Sequence, residues 1–253
     1  MVEVDRLSPR NRPNERPVMY QSWRDLLFLH WEVEAEAMQK LLPPGLAIDT
    51  YDGKAYVGLV PFTMTGVRPT WSPSVPGISN FHECNVRTYV HHNGENPGVF
   101  FFSLDAANLL AVNIARAVWK LPYFYADMML AKSSGTIDYS SLRLGEVPAA
   151  ASLNTTYSFS AGTTHAEPGS LDYFLIERYY LYTFTNKLLI GQVHHPPYPL
   201  QSAVVSSLEE NLVAAAGIDR GIEAPVVHYS PGVDVAVFRL REAWGLQGGR
   251  WLP

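Results

Sequence analysis

The stretch FHECNVRTYVHHNGENPGVFFFSLDAANLLAVNIARAVWKLPYFYA, residues 81–126, decides how the chain is read. Successive side chains of an extended segment point to opposite faces. A strand over 81–90 therefore puts Glu83, Asn85, Arg87 and Tyr89 on one side and His82, Cys84, Val86 and Val90 on the other. One face is polar and charged, the other largely apolar. Two placements satisfy that pattern: a surface strand whose polar row is wet, or the wall of a ligand-lined cavity. Beyond it, His92-Asn93-Gly94 signals a turn, 99–104 suits a buried strand, and Asp105 stands where an N-cap precedes a helix over 106–120. Leu110, Ile114, Ala117 and Leu121 recur at helical spacing and predict that helix's core face, and Pro122 ends it. Arg116 falls off the centre of the stripe, either solvated or aimed at an acid.

Working outward, 23–33 reads as a strand, 34–42 as a short helix and 46–68 as a hairpin turning at Asp52-Gly53. Strands follow near 123–131, 136–144 and 153–160, then one or two helical turns at 171–177. A hairpin over 178–185 and 188–194, a strand over 201–207, a helix over 208–216 closed by Gly217, and strands over 226–228 and 233–240 complete the chain. Many strands with few helices predict an α+β, mainly β fold: antiparallel sheet curled into a barrel, with a few flanking helices.

Composition narrows the function. A chain of 253 residues, 47% of them hydrophobic, builds a sizeable core without staples; we expect one domain over 20–253 behind a flexible arm over 1–19. One cysteine allows no intrachain disulfide, no CxxC and no cysteine zinc site, which fits a reducing cytoplasm. A net charge of −5 without a basic cluster beyond the first arginines argues against nucleic acid. No run of eighteen apolar residues suggests a membrane span. The histidine pairs 91–92 and 194–195 would point opposite ways on a strand and chelate no common ion, so no metal is expected. With no GxSxG, GxGxxG or GxxxxGK[ST] element, no nucleotide or other cofactor is expected either. The expected partner is a small-molecule ligand, and a homo-oligomer stays open.

The phrases PPGLAIDTYDGKAYVGLVPFTM (43–64), NVRTYV (85–90), FFSLDAANLLAVNIAR (101–116), LPYFYA (121–126), ERYYLYT (177–183) and HHPPYPLQ (194–201) resemble the acetoacetate decarboxylase-like superfamily, and within it the YqjF-like bacterial branch of unknown function. The resemblance implies a curled antiparallel barrel around a central cavity. It also implies what this chain lacks. The decarboxylases end the central helix in Pro-Lys-Lys, whose first lysine forms an imine with the keto acid while the second lowers its pKa. Here Pro122 is followed by Tyr123 and Phe124, and neither forms an imine. The aromatic-x-Glu element of the superfamily has its counterpart in Phe81-His82-Glu83, so Glu83 carries over as an acid/base or orienting group.

The residues expected to carry chemistry follow. Glu83 transfers a proton, and Tyr123 or Tyr125 donates to a developing oxyanion. Arg87 grips an anion through its forked guanidinium, with Asn85, Arg116 and Arg178 as further binding candidates. Under the resemblance, His195 and His228 face the same cavity as neutral donors or bases. Each arginine has a structural alternative, an ion pair with an acid such as Glu83, Asp105 or Glu177. Three readings stay open: a lyase-like enzyme acting on a small carboxylate or carbonyl compound without a Schiff base, a non-catalytic carrier or sensor with an aromatic pocket, and an interaction protein with a filled interior. The second requires that Glu83 and Arg87 neutralise each other.

Overall fold

The structure, a computed structural model, describes residues 4–145 and 151–243. Its elements run β1 (Met19–Val33), α1 (Ala35–Lys40), β2 (Ala47–Ile48), β3 (Ala55–Pro69), β4 (Phe81–His92), β5 (Glu95–Ala106), α2 (Leu109–Val118), β6 (Tyr123–Ser133), β7 (Thr136–Arg143) and β8 (Ser152–Phe159). Then come α3 (Leu171–Ile176), β9 (Tyr180–Phe184), β10 (Leu188–His194), β11 (Gln201–Glu210), α4 (Leu212–Ala215), β12 (Val226–Val237) and β13 (Arg241–Glu242). Among the described residues no helix is long and apolar enough to cross a membrane.

The sheet closes on itself twice. One ring runs β5-β4-β3-β1-β12-β10-β9 and returns to β5; the other leaves β5 through β6-β7-β8-β11 and rejoins at β12. The strands β12, β1, β3, β4 and β5 are common to both. All these pairings are antiparallel except β5 with β6 and β5 with β9. A strand walled on both sides by protein needs apolar residues on both faces. The runs LLFLHW in β1 and YVGLVPF in β3 supply them. Alternation then sorts the side chains. Leu26, Phe28, Val60, Phe62 and Tyr89 join the core of the first ring, while Leu27, Leu29, Val57, Leu59, Cys84 and Val86 join Ile137, Tyr139 and Tyr157 in the second. Short α3 lays Phe174, Leu175 and Ile176 into the first core, and α4 adds Leu212 and Val213 to the second.

Gly98 marks where the first ring shuts. A Cβ there would lie 2.6 Å from the carbonyl oxygen of Tyr180 on β9, the strand that pairs with β5 at this point. We predict that Gly98→Ala loses about 2–3 kcal/mol in urea unfolding, the cost of overpacking a backbone that has nowhere to move. An unchanged midpoint would show that the closure is soft.

Several expectations are revised. The wet-surface reading of β4 fails, because residues 83–90 are buried without interruption. Asp105 is not an N-cap: it lies inside β5, next to its last residue, in a buried ion pair with Arg143, and α2 starts later, capped by Asn108, whose side chain accepts from the Ala111 N–H. That shift turns the helix. Val112, Ala115 and Trp119 pack inward, and Leu110 and Ile114, expected in the core, are exposed. At 46–68 the Asp52-Gly53 turn is present, but β2 pairs with β4 rather than β3. Residues 208–210 extend β11 instead of starting a helix, and 226–237 form one strand. The arm also makes contacts with the body. Arg6 binds Asp49 at 2.5 Å, Pro9 is buried, and Gln192 donates to the carbonyls of Pro9 and Asn11.

Candidate functional site

Because β4 keeps strict alternation, its polar row turns into the first ring. The irregularity in its pairing with β5 falls between Val86/Ser103 and Arg87/Phe101, so the extra residue belongs to β5. Glu83 is 1% exposed, and its Oε2 accepts a hydrogen bond of 2.8 Å from the Tyr123 hydroxyl. Burial pushes its carboxyl up to about 8, against the opposing hydrogen bonds of Tyr123 and Asn85. At neutral pH Glu83 is therefore mainly a neutral acid with a proton to give. Tyr123 is itself held protonated, by burial and by the nearby carboxylate.

Arg87 is buried on the same face. Its Nη2 donates to the carbonyl of Leu175 in the last turn of α3 at 3.4 Å, and the guanidinium lies 5.6 Å from the Phe28 ring centre and 5.8 Å from that of Tyr89. Aromatic faces and a helix C-terminus both favour a cation. Among the described residues no acid pairs with it, and its Nε has no hydrogen-bond partner in the protein. Glu83 sits four residues away, roughly 13 Å along the strand, so the two do not neutralise each other. Across from Arg87, Gly58 makes room: a Cβ there would meet His30 at 3.1 Å and Arg87 at 3.4 Å.

The opposing wall comes from β1 and from the segment after β10. His195 stacks on Tyr179 at 4.5 Å, its Nδ1 donates to the Pro196 carbonyl at 2.9 Å, and its buried Nε2 has no partner. Burial lowers its pKa to about 4, so Nε2 is a neutral acceptor. Tyr198 and Trp23 lie 4.6 and 5.8 Å from the His195 ring, and Phe28 and Phe62 continue the aromatic lining. Glu177 holds this segment in place by accepting from the Tyr198 backbone N–H and the Tyr179 hydroxyl. Trp23 Nε1, Asn85 Oδ1, Arg87 Nε and His195 Nε2 are thus two donors and two acceptors, all buried and all without a protein partner. An unmet buried polar group costs about 1–3 kcal/mol.

The sequence did not single out His30. It lies inside the apolar LLFLHW run, fully buried, with Nε2 2.6 Å from the Tyr89 oxygen. Tyr89 gives its one proton to the Leu175 carbonyl at 2.7 Å, so His30 must be the donor in that pair and we assign it the Nε2–H tautomer. Burial, with Arg87 second, holds it neutral. A histidine amid residues buried on both faces was the available signal.

The remaining candidates differ in their partners. Arg178 has an acid partner: it bonds Asp49 at 2.8 Å and the Phe174 carbonyl, and stacks on Phe174 and Tyr89, while its buried Nη2 has no partner in the protein. His228, on β12 opposite Phe28, has Nε2 3.0 Å from the Asp172 carboxylate and a buried Nδ1 without a partner. Tyr125 turns outward, 37% exposed. Arg116 is exposed, donates to the Tyr123 carbonyl at 2.6 Å, and borders a surface cleft of about 500 Å³ with Lys120 and Phe101. A second cleft, of about 400 Å³, runs between the arm and Tyr173.

The profile of the family DUF2071, described as "Uncharacterized conserved protein (COG2071)", matches residues 20–234. Uncharacterized protein YqjF of Bacillus subtilis (strain 168) is 42% identical over 226 residues, spanning 89% of this chain and 92% of that protein. Among solved structures, acetoacetate decarboxylase from Legionella pneumophila subsp. pneumophila str. Philadelphia 1 matches with a TM-score of 0.64 at 12% identity, over 94% of this chain and 92% of that one. The enduracididine biosynthesis enzyme MppR complexed with pyruvate matches at 0.63 and 12%, over 90% and 91%. At such identities the likeness is one of fold.

Proposed function

This chain belongs to the DUF2071 family, and we propose that it receives a small carboxylate or carbonyl compound in the first ring and acts on it as a lyase-like acid–base enzyme without an imine. The observation that carries the reading is Arg87: a buried guanidinium with no acid beside it among the described residues and an Nε without a hydrogen-bond partner, on the face that also holds a protonated Glu83. A charge left that way is costly unless a guest supplies the anion. In this reading Arg87 grips the carboxylate through Nε and one Nη. Trp23 Nε1 adds a donor, while Asn85 Oδ1 and His195 Nε2 accept from a hydroxyl or amine of the guest. Pyruvate is too short to reach from Arg87 to Glu83, so it probes the anion grip alone; for a longer guest Glu83 delivers its proton at the far end, where electron density builds on carbon or oxygen, and Tyr123 steadies the carboxylate that remains. The pair Tyr123 and Phe124 after Pro122 offers no amine, so carbanion character must be met by proton transfer alone.

The aromatic lining of Trp23, Phe28, Phe62 and Tyr198 is the one observation that favours the carrier as second reading, against the lack of the Glu83–Arg87 pair it called for. The two differ in what stabilises the protein. Pyruvate, the acid bound in the MppR structure, is the first probe to try. We expect pyruvate and related keto acids to raise the melting temperature of this protein, their amides not to, and borohydride with pyruvate to add no mass at Lys120 or any other lysine. Equal shifts from neutral aromatic compounds and none from acids would favour the carrier; a reduced adduct would remove the imine-free mechanism.

A further inference from the structure

A second surface stands apart from the ring and from any chemistry in it. The exposed face of α2 is apolar: Leu109, Leu110, Ile114 and Val118 keep between 45 and 60% of their surface in solvent. Three of them, Leu110, Ile114 and Val118, are spaced i, i+4, i+8 and form one ridge along the ten-residue helix. The patch does not stop at the helix. Asn108, its N-cap, also donates to the carbonyls of Gly77 and Ile78 at 3.4 and 3.1 Å, which holds the loop before β4 against the helix start. That loop adds the exposed side chains of Val75 and Ile78.

The area argues for a macromolecular partner. At these exposures the six side chains present several hundred Å² of apolar surface, at or above the largest patch of a typical monomer, about 300–600 Å². With its polar rim, that approaches the roughly 800 Å² that each partner contributes to a standard interface. Charge narrows the choice. Neither α2 nor residues 68–80 contain an acid, so the face carries no pattern for a basic partner. Its arginines lean away from the ridge, Arg116 to the Tyr123 carbonyl and the Phe124 ring and Arg68 to Tyr20, and exposed Lys120 beyond the helix adds one cation, fewer than the cluster of about four to eight that reads as an anionic-lipid site. What the face fits is itself. An i±4 ridge interdigitates with its own copy when two helices cross at about −50°, and a two-fold axis brings identical ridges together.

We propose that this face is the interface of a symmetric dimer of this chain, with α2 packed on the α2 of a second copy and the axis passing beside Ile114. Because Leu110, Ile114 and Val118 do not enter the cores, changing them leaves each protomer's fold intact.

The test is sedimentation equilibrium of the full chain across the micromolar range. Wild-type protein is expected to be dimeric, and Ile114→Glu to weaken the dimer at least tenfold with an unchanged far-ultraviolet circular dichroism spectrum. Mild oxidation of Ile114→Cys is expected to give a disulfide-linked dimer, since the native Cys84 is buried, while Ile222→Cys, 98% exposed at another site, stays unlinked. A wild-type chain that remains monomeric, a dimer indifferent to Ile114→Glu, or equal linking of both cysteine variants overturns the proposal. Flotation of monomeric protein with anionic vesicles, lost in Ile114→Glu, would assign the face to lipid instead.

Discussion

Glu83→Gln unfolds at a higher urea concentration than the wild-type protein at pH 8.5, and at a similar one at pH 5. The sign follows from the direction of the shift. The native carboxyl titrates at about 8, the unfolded one near its ordinary value, so between those limits the folded state holds a proton that the unfolded state has released. Stability from this group is complete below the unfolded pKa and drains away as pH rises through 8, at about 1.4 kcal/mol per pH unit. Glutamine keeps the shape and hydrogen bonds and removes the titration. The acid side has a different cause. His195 and His30 are buried neutral with lowered pKa values, so their contribution is present above the ordinary histidine value and is lost as pH falls below it. Above pH 6.5 the histidines have finished and Glu83 governs the slope. If the wild-type and Gln proteins fall in parallel from pH 6.5 to 8.5, Glu83 is not protonated in the native state and its role as proton donor goes with it.

Arg87→Met is expected to separate stability from binding. Methionine fills much of the same volume without a charge; replacing whole buried ion pairs by apolar groups of similar size is often neutral or stabilising by about 1–4 kcal/mol, and a lone unpaired charge has no Coulombic partner to lose. Here no acid loses its partner, so the gain should appear in urea unfolding of the ligand-free protein. Binding should move the other way. Losing a buried charge-assisted contact to a carboxylate costs about 2–5 kcal/mol, a loss of thirtyfold or more in pyruvate affinity by titration calorimetry. A destabilised variant with unchanged affinity would mean that Arg87 serves the Leu175 carbonyl and the aromatic rings alone.

The sequence was legible where the physics is local. Period-two alternation in β4 put Glu83, Asn85, Arg87 and Tyr89 on one face, and all four are there. Turn chemistry located the β4–β5 and β9–β10 connections for the same reason. It was not legible where two local solutions compete. Asp105 and Asn108 are both good helix caps, and only the distant Arg143 decides between them. The stripe on α2 reads as core because an apolar face normally finds one; which way the helix rolls depends on Leu104, Leu121 and Tyr123. Nor does pattern reveal that Arg178 belongs to Asp49, 129 positions away, while Arg87 belongs to no acid. Pairing across such distances is written in topology, and His30 shows the same limit: nothing around it in the chain announces Tyr89.

The strands common to both rings carry a consequence of their own. A partition between two chambers has no outdoor side on which to absorb a substitution, so pressure at Cys84 or Val86 in one room is felt by Glu83 and Arg87 in the next, one residue along the same backbone. Swelling Cys84 to leucine should therefore retune the titration of Glu83 without touching it, making the far chamber a remote control on the near one.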